Sequence, residues 1–191
     1  MKRRLFILIT LILCVAAVQA QEQGDEYDDG YVYESNGAGD QFLKADLTGL
    51  FPLNFGNQLY PGAAATIGYF RFLNGWLAVG GEVTATYNVS LGRKILIMLP
   101  ITFGAMAQAE IGKIEIPVTV TAGIGYETWQ NMNYFPSFVL KGSAGAYYRF
   151  NDMWSLGLSS TFIWIPQPYS NSSRNDNGMF LTAALGVRYH F

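Results

Sequence analysis

The chain has 191 residues, of which 50% are hydrophobic and 14% charged, with 12 basic side chains against 14 acidic ones. There is no basic surplus from which to build a phosphate-contacting surface, which excludes a nucleic-acid-binding protein. The single cysteine cannot form an intrachain disulfide, and with a single histidine it falls short of the ligands a metal cluster of those residues needs.

The chain opens with Lys2, Arg3 and Arg4, then the apolar run "LFILITLILCVAAV", then Val18-Gln19-Ala20. A charged head, a short apolar body and small residues before a cut form the layout of a secretory signal peptide. Residues 1–20 are therefore expected to be removed. A retained membrane helix needs about 20 apolar residues, more than this run offers, and a lipid anchor on Cys14 is disfavoured by the bulky Leu13 before it. Cleavage would remove Lys2, Arg3 and Arg4, leaving 9 basic against 14 acidic residues, a formal charge of about −5.

Residues 21–40 come next. Glu22, Asp25, Glu26, Asp28, Asp29, Glu34 and Asp40 fall there with no Lys or Arg, so 7 of the 14 acids occupy about a tenth of the chain. Such a segment cannot bury enough apolar area to offset its ordering entropy, and a disordered periplasmic tether is expected. Its acids have no spacing that defines a cation loop.

From Gln41 to Phe191 the hydrophobic pattern has period two. In "IEIPVTVTAGIGYE", Ile114, Ile116, Val118, Val120, Ala122, Ile124 and Tyr126 share one face, and Glu115, Thr119, Thr121, Gly123, Gly125 and Glu127 the other. Similar alternation predicts strands at about 42–51, 63–73, 76–89, 95–110, 137–150, 154–165 and 179–191, eight in all with this one. Ordinary strands run about 5 to 6 residues; these are long enough to cross a bilayer, which takes about 9 to 11.

The connections alternate in length. Tight reversals are expected at Asn74-Gly75, Ile111-Gly112 and Asn151 to Met153, and longer ones at 52–62, 90–94, 129–136 and 166–178. Short periplasmic turns opposite longer external loops characterise outer-membrane barrels, so both termini are expected in the periplasm. Two arms, "GYFRFLNGWLAVG" and "AYYRFNDMWSLGL", read as an internal hairpin repeat. A two-residue turn at Asn74-Gly75 and a three-residue turn at Asn151–Met153 would point Trp76 inward with Arg71 and Glu82, and Trp154 outward.

The face opposite the apolar one is made of Gly, Ser and Thr rather than Lys and Glu, among them Thr84, Thr102, Thr119, Thr121, Ser143 and Thr182. Small residues suit the inside of an eight-stranded cylinder, which side chains can just fill. Leu47, Val83, Ile101, Phe103, Val120 and Leu158 therefore belong outside, in lipid. The fold class is all-β, an eight-stranded antiparallel transmembrane up-and-down β-barrel spanning 41–191. By parity Lys44, Asp46, Arg71, Glu82, Glu115, Glu127, Lys141, Arg149 and Arg188 point into the lumen, as a paired structural plug or a narrow selective path, with Tyr69 and Tyr147 adding bulk. Pro100 and Pro117 each remove a ladder donor and fit best near a strand end or bulge.

Aromatic residues gather where the strands would leave the membrane: Phe70, Phe72, Tyr148, Phe150 and Trp154 at the periplasmic girdle, Trp164 with Tyr126 and Tyr87 at the outer one. Val187, Tyr189 and Phe191 continue the outward alternation to the last residue. At this point the chain resembles the small eight-stranded outer-membrane proteins of the OmpX, OmpW and OmpA-transmembrane-domain type, over about 41–191 and by pattern rather than motif. That resemblance implies an integral protein of the outer membrane, with lipid as its surroundings and Val187, Tyr189 and Phe191 as the signal read by the barrel assembly machinery.

Chemistry is sparse. Outer-membrane acyltransferases and deacylases resemble this barrel in size but need a histidine working with a serine or acid at the external rim, whereas His190 belongs at the periplasmic rim. The Gly123 and Gly142 regions lack the helix that a phosphate loop requires. No catalytic residue, metal site or cofactor is expected. Two roles remain open: an envelope-structural barrel that is at most a narrow pore for small solutes, and a surface interaction protein taking an extracellular ligand through the polar loop 166–178.

Overall fold

The computed structural model describes residues 36–55, 59–90, 92–129, 132–167 and 176–191. The expected signal peptide, most of the acidic segment and the tip of the 166–178 loop lie outside the described residues. Eight strands follow in chain order: β1 (Gln41–Pro52), β2 (Gly62–Phe72), β3 (Leu77–Val89), β4 (Ile95–Ile111), β5 (Ile114–Trp129), β6 (Met132–Arg149), β7 (Trp154–Gln167) and β8 (Asp176–His190). Each pairs antiparallel with its sequence neighbours, and β1 pairs with β8, from Phe42↔His190 to Pro52↔Phe180, so the sheet closes on itself. Closure leaves no open edge, the condition for placing strands in hydrocarbon.

The alternation sets two faces. Leu47, Phe103 and Leu158 are 71%, 69% and 66% exposed on the outside, while Thr102 and Thr121 on the other face are 0% and 2% exposed. Val83, Ile101, Val120, Ile124, Phe162 and Leu185 are exposed as well. The greasy face is the outer one, as the small-residue pattern implied.

Both Asn-initiated hairpins are alike, and this corrects the expected turn at Asn74-Gly75. Leu73 donates its N–H to Leu77 and Phe150 to Trp154, so each loop holds three residues. The cause is the asparagine: Asn74 Oδ1 accepts from the Trp76 and Leu77 amides at 3.1 and 2.7 Å, and Asn151 Oδ1 from Met153 and Trp154 at 3.0 and 2.9 Å. The side chain holds the turn open in place of a tighter backbone bond. Trp76 and Trp154 do not point in opposite directions; they are 49% and 44% exposed.

Counting from each asparagine, Phe70 is equivalent to Tyr147 and Gly80 to Gly157, and each aromatic pairs across the hairpin with its glycine. The rings lie over the glycines, where an added Cβ would come within 2.6 Å of the Phe70 or Tyr147 ring. The first arm carries one more residue between its arginine and asparagine, "RFLN" against "RFN". One residue inverts every side chain. Phe70 and Phe72 are therefore buried in the lumen at 1% exposure instead of joining the girdle, Tyr69 is 41% exposed, and Arg71 is on the outer wall rather than in the lumen.

The third tight turn is Gly112-Lys113, one residue later than expected, with Ile111 paired to Ile114 and Gly112 at φ 58°. The long connection expected at 129–136 is mostly strand, since Trp129 pairs with Met132. A register shift between Gly125 and Glu127 absorbs the irregularity there. Pro100 sits well inside β4, away from any end, and the β3–β4 ladder skips from Val83↔Ile101 to Thr86↔Met98 around it. The Thr86 hydroxyl accepts the Met98 N–H at 3.2 Å in that gap. Before β1, Gly39 at φ 104° turns the chain so that its N–H reaches the Phe72 carbonyl at 2.9 Å.

Candidate functional site

Three layers fill the lumen. At the end carrying the longer connections, Leu50, Leu59, Leu96, Met98, Val139, Ile163, Ile165 and Phe180 form an apolar cluster with Phe55 packed on it. The segment after β1 folds back over this layer, with Phe55 and Phe180 ring centroids 5.1 Å apart and Leu59 bridged to Ser90. The sequence reading missed this layer, because those residues fall on the face otherwise recognised by its small residues.

The middle layer is charged. Lys44 and Asp46 come from β1, Glu82 and Thr84 from β3, and Lys141 from β6. Glu82 accepts from Lys44 through Oε1 and from Lys141 through Oε2, both at 2.6 Å, and Lys44 lies 3.1 Å from Asp46 Oδ2. Lys141 also donates to Thr84 Oγ1 at 3.0 Å, and Thr84 meets Thr66 at 3.0 Å. None of the four charged residues is more than 8% exposed. Two cations and two carboxylates cancel, as charges held out of water must. The cavity bounded by these groups has a volume of about 10 Å³, room for one water-sized molecule and no solute.

The third layer lies at the tight-turn end. Glu115, 0% exposed, stands 3.4 Å from Arg149, 3.3 Å from Arg188 and 3.7 Å from His190. Arg188 donates to Gln108 at 2.9 Å and lies over the Tyr147 ring, 3.8 Å from its centroid, with Phe42 on another side at 4.8 Å. Such stacking favours arginine, whose flat guanidinium is weakly hydrated. Asn36, 3% exposed and ahead of β1, closes the end by donating to Glu110 and accepting from Arg149 at 3.0 Å. Phe42, Phe70, Phe72, Ala78 and Met106 pack beside it.

Eight of the nine residues assigned to the lumen are there, Glu127 among them at 6% exposure; Arg71 is not. Asn36, Gln108, Glu110, Ser155 and His190 join the network without having been foreseen. His190 was legible, since it shares the parity of Arg188 and Gly186; Asn36 was not, since it precedes the first strand. Tyr147 fills the lumen at 2% exposure, and Tyr69 does not.

Ser155 Oγ meets His190 Nε2 at 2.8 Å near Glu115, a combination that invites a nucleophilic reading. Two features argue otherwise. Glu115 approaches the same Nε2, whereas a hydrolytic triad places its acid on the opposite ring nitrogen, and Ser155 is 0% exposed. Among the described residues no group of His, Cys, Asp and Glu is arranged to hold a metal ion.

On the outer wall, Tyr148 and Phe150 make an edge contact at 5.4 Å, while Trp154, Tyr189 and Phe191 run in sequence with centroids 4.9 and 5.9 Å apart. Trp76 belongs with them at the tight-turn end. Tyr87, Tyr126 and the partly exposed Trp164 lie toward the other.

Two uncharacterized proteins of Treponema pallidum (strain Nichols) are similar to the chain, at 26% identity over 147 residues and 25% over 134, covering 69% and 70% of it. The chain spans 50% and 61% of the length of those two relatives. Among solved structures, Neisserial surface protein A superposes with a TM-score of 0.66 at 13% identity, over 80% of this chain and 99% of that one. The attachment invasion locus protein Ail of Yersinia pestis does so with a TM-score of 0.55 at 14% identity, over 81% and 99%. A protein-family model matches residues 22–189. The chain belongs to the family so matched, and its fold is that of the small eight-stranded outer-membrane β-barrel proteins.

Proposed function

We propose that this protein is a non-enzymatic integral barrel of the outer membrane whose lumen is sealed, serving the envelope as a structural element rather than a conduit. The observation that carries this reading is the filling of the cylinder: an apolar layer, a neutral four-charge layer and a Glu115-centred layer follow one another along the axis. A permeating ion would have to break pairs held in a dry interior, where an unpaired charge is costly. Both termini face the periplasm in this reading, supported by the tight turns at 73–77, 112–113 and 150–154 at one end and the connections at 53–61, 90–94 and 168–175 at the other. Val187, Tyr189 and Phe191, on the outward side of β8, would be the contact for the assembly machinery. Purified full-length protein in planar bilayers is expected to give no discrete channels. Stable, well-defined conductance steps would overturn the sealed-lumen reading.

A second reading is favoured by the gathering of the longer connections at one end, where Arg93 and Lys94 are exposed. A superposable neighbour is an attachment protein, also solved in complex with the heparin analogue sucrose octasulfate. In this alternative the chain is a surface interaction protein acting through its external loops. Deleting 168–175 should then abolish binding to host material while the barrel stays folded.

A further inference from the structure

Every charged side chain described on the eight strands points into the lumen, with one exception. Arg71, on β2, is exposed on the outer wall, where its neighbours across the ladders are Gln41 of β1 and Val79 of β3. It is the next-to-last residue of β2, two residues before Leu73, which closes the three-residue hairpin loop, and so stands at the tight-turn rim. Around it lie Leu43, Tyr69, Leu73 and Val79, all 40% to 53% exposed. Tyr69 donates its hydroxyl proton to Gln41 Oε1 at 2.5 Å, which fixes two polar groups beside the guanidinium. No ion pair to Arg71 exists among the described residues.

A cation in that place offers an anion an unpaired partner. At the bilayer midplane an arginine on the lipid face costs about 2 to 4 kcal/mol, falling to about 0 to 1 at the interface. A guanidinium offers a planar fork of donors matched to two oxygens of a phosphate. We propose that Arg71, with the Tyr69–Gln41 pair beside it, is a headgroup site that holds the phosphate of one phospholipid against the barrel wall at the tight-turn rim. The site rests on the reading of the protein as a membrane barrel. The occupant is a lipid rather than free phosphate because the guanidinium is framed by apolar side chains that acyl chains can cover.

The test is native mass spectrometry of the full chain released from detergent after titration with phosphatidylglycerol. Wild type is expected to retain one lipid more firmly than Arg71→Gln, with an apparent affinity about tenfold higher; Arg71→Lys, which keeps the charge and loses the fork, should fall between. Excess inorganic phosphate should not displace the lipid. The proposal is overturned if Arg71→Gln retains lipid like wild type, or if inorganic phosphate competes the lipid away. Heat-modifiable gel mobility, measured on the same samples, separates this failure from a failure of the barrel reading: a variant or wild-type protein without it has not formed a barrel.

Discussion

Glu82 holds the middle layer together, because both of its oxygens are committed to lysines at 2.6 Å. Truncating it leaves Lys44 with Asp46 as its carboxylate and takes from Lys141 the carboxylate it pairs with. Removal of one partner of a buried pair typically costs about 3 to 5 kcal/mol, so Glu82→Ala should lower the urea midpoint of unfolding in lipid vesicles by a clear margin, and Glu82→Gln by less. Glycine matters at the same scale where rings cross strands. A Cβ at Gly186 would collide with the Asp46 carboxylate and lie 2.8 Å from the Tyr147 hydroxyl. Gly186→Ala is expected to cost at least about 1 to 3 kcal/mol, read from the same titration, whereas Gly142→Ala, where a Cβ meets nothing within 4 Å, should be nearly neutral.

Strands were legible in the sequence because length and period two are written in each stretch, as in Val118, Val120 and Ile124 against Thr119, Thr121 and Gly123. Where the reading put side chains on the wrong face, a hairpin was responsible. β2 carried its own correct parity in Thr66, Ile67 and Gly68, but the arginine in "FRF" pulled the assignment the other way. Thr66 is buried at 8% and Ile67 exposed at 66%. Asn74 decided the turn through its side chain, an effect that the Asn-Gly dipeptide alone does not reveal. Each asparagine accepts two amide protons, so Asn74→Ala and Asn151→Ala should each destabilise by about 1 kcal/mol. Lipid-soluble quenchers acting on a fluorophore at position 71 should outdo those acting on one at 70 or 72; equal quenching at all three would contradict the register.

At the scale of the whole molecule, closure from β1 to β8 follows from an even number of long strands with no tolerable edge. The lumen's composition was legible only in part. Charge pairing across strands could be inferred from parity, but partners far apart in sequence such as Lys44 and Glu82, or Glu115 and Arg188, need the closed cylinder to meet. The apolar layer under Phe55 was invisible for the opposite reason: Leu50, Ile163 and Phe180 belong to the inward parity yet look like lipid-facing residues. Such a barrel should resist dodecyl sulfate when unheated and change its gel mobility on boiling.

The central claim is that the apolar face meets lipid and the small and charged face fills the cylinder. Nitroxide labels placed singly from position 118 to 124 in β5, with the protein in lipid vesicles, test it most directly. Collision with oxygen should be high at 118, 120, 122 and 124 and low at 119, 121 and 123, with little access for an aqueous nickel chelate at any of them. A reversed alternation, or free access of the chelate to the even positions, would contradict the account.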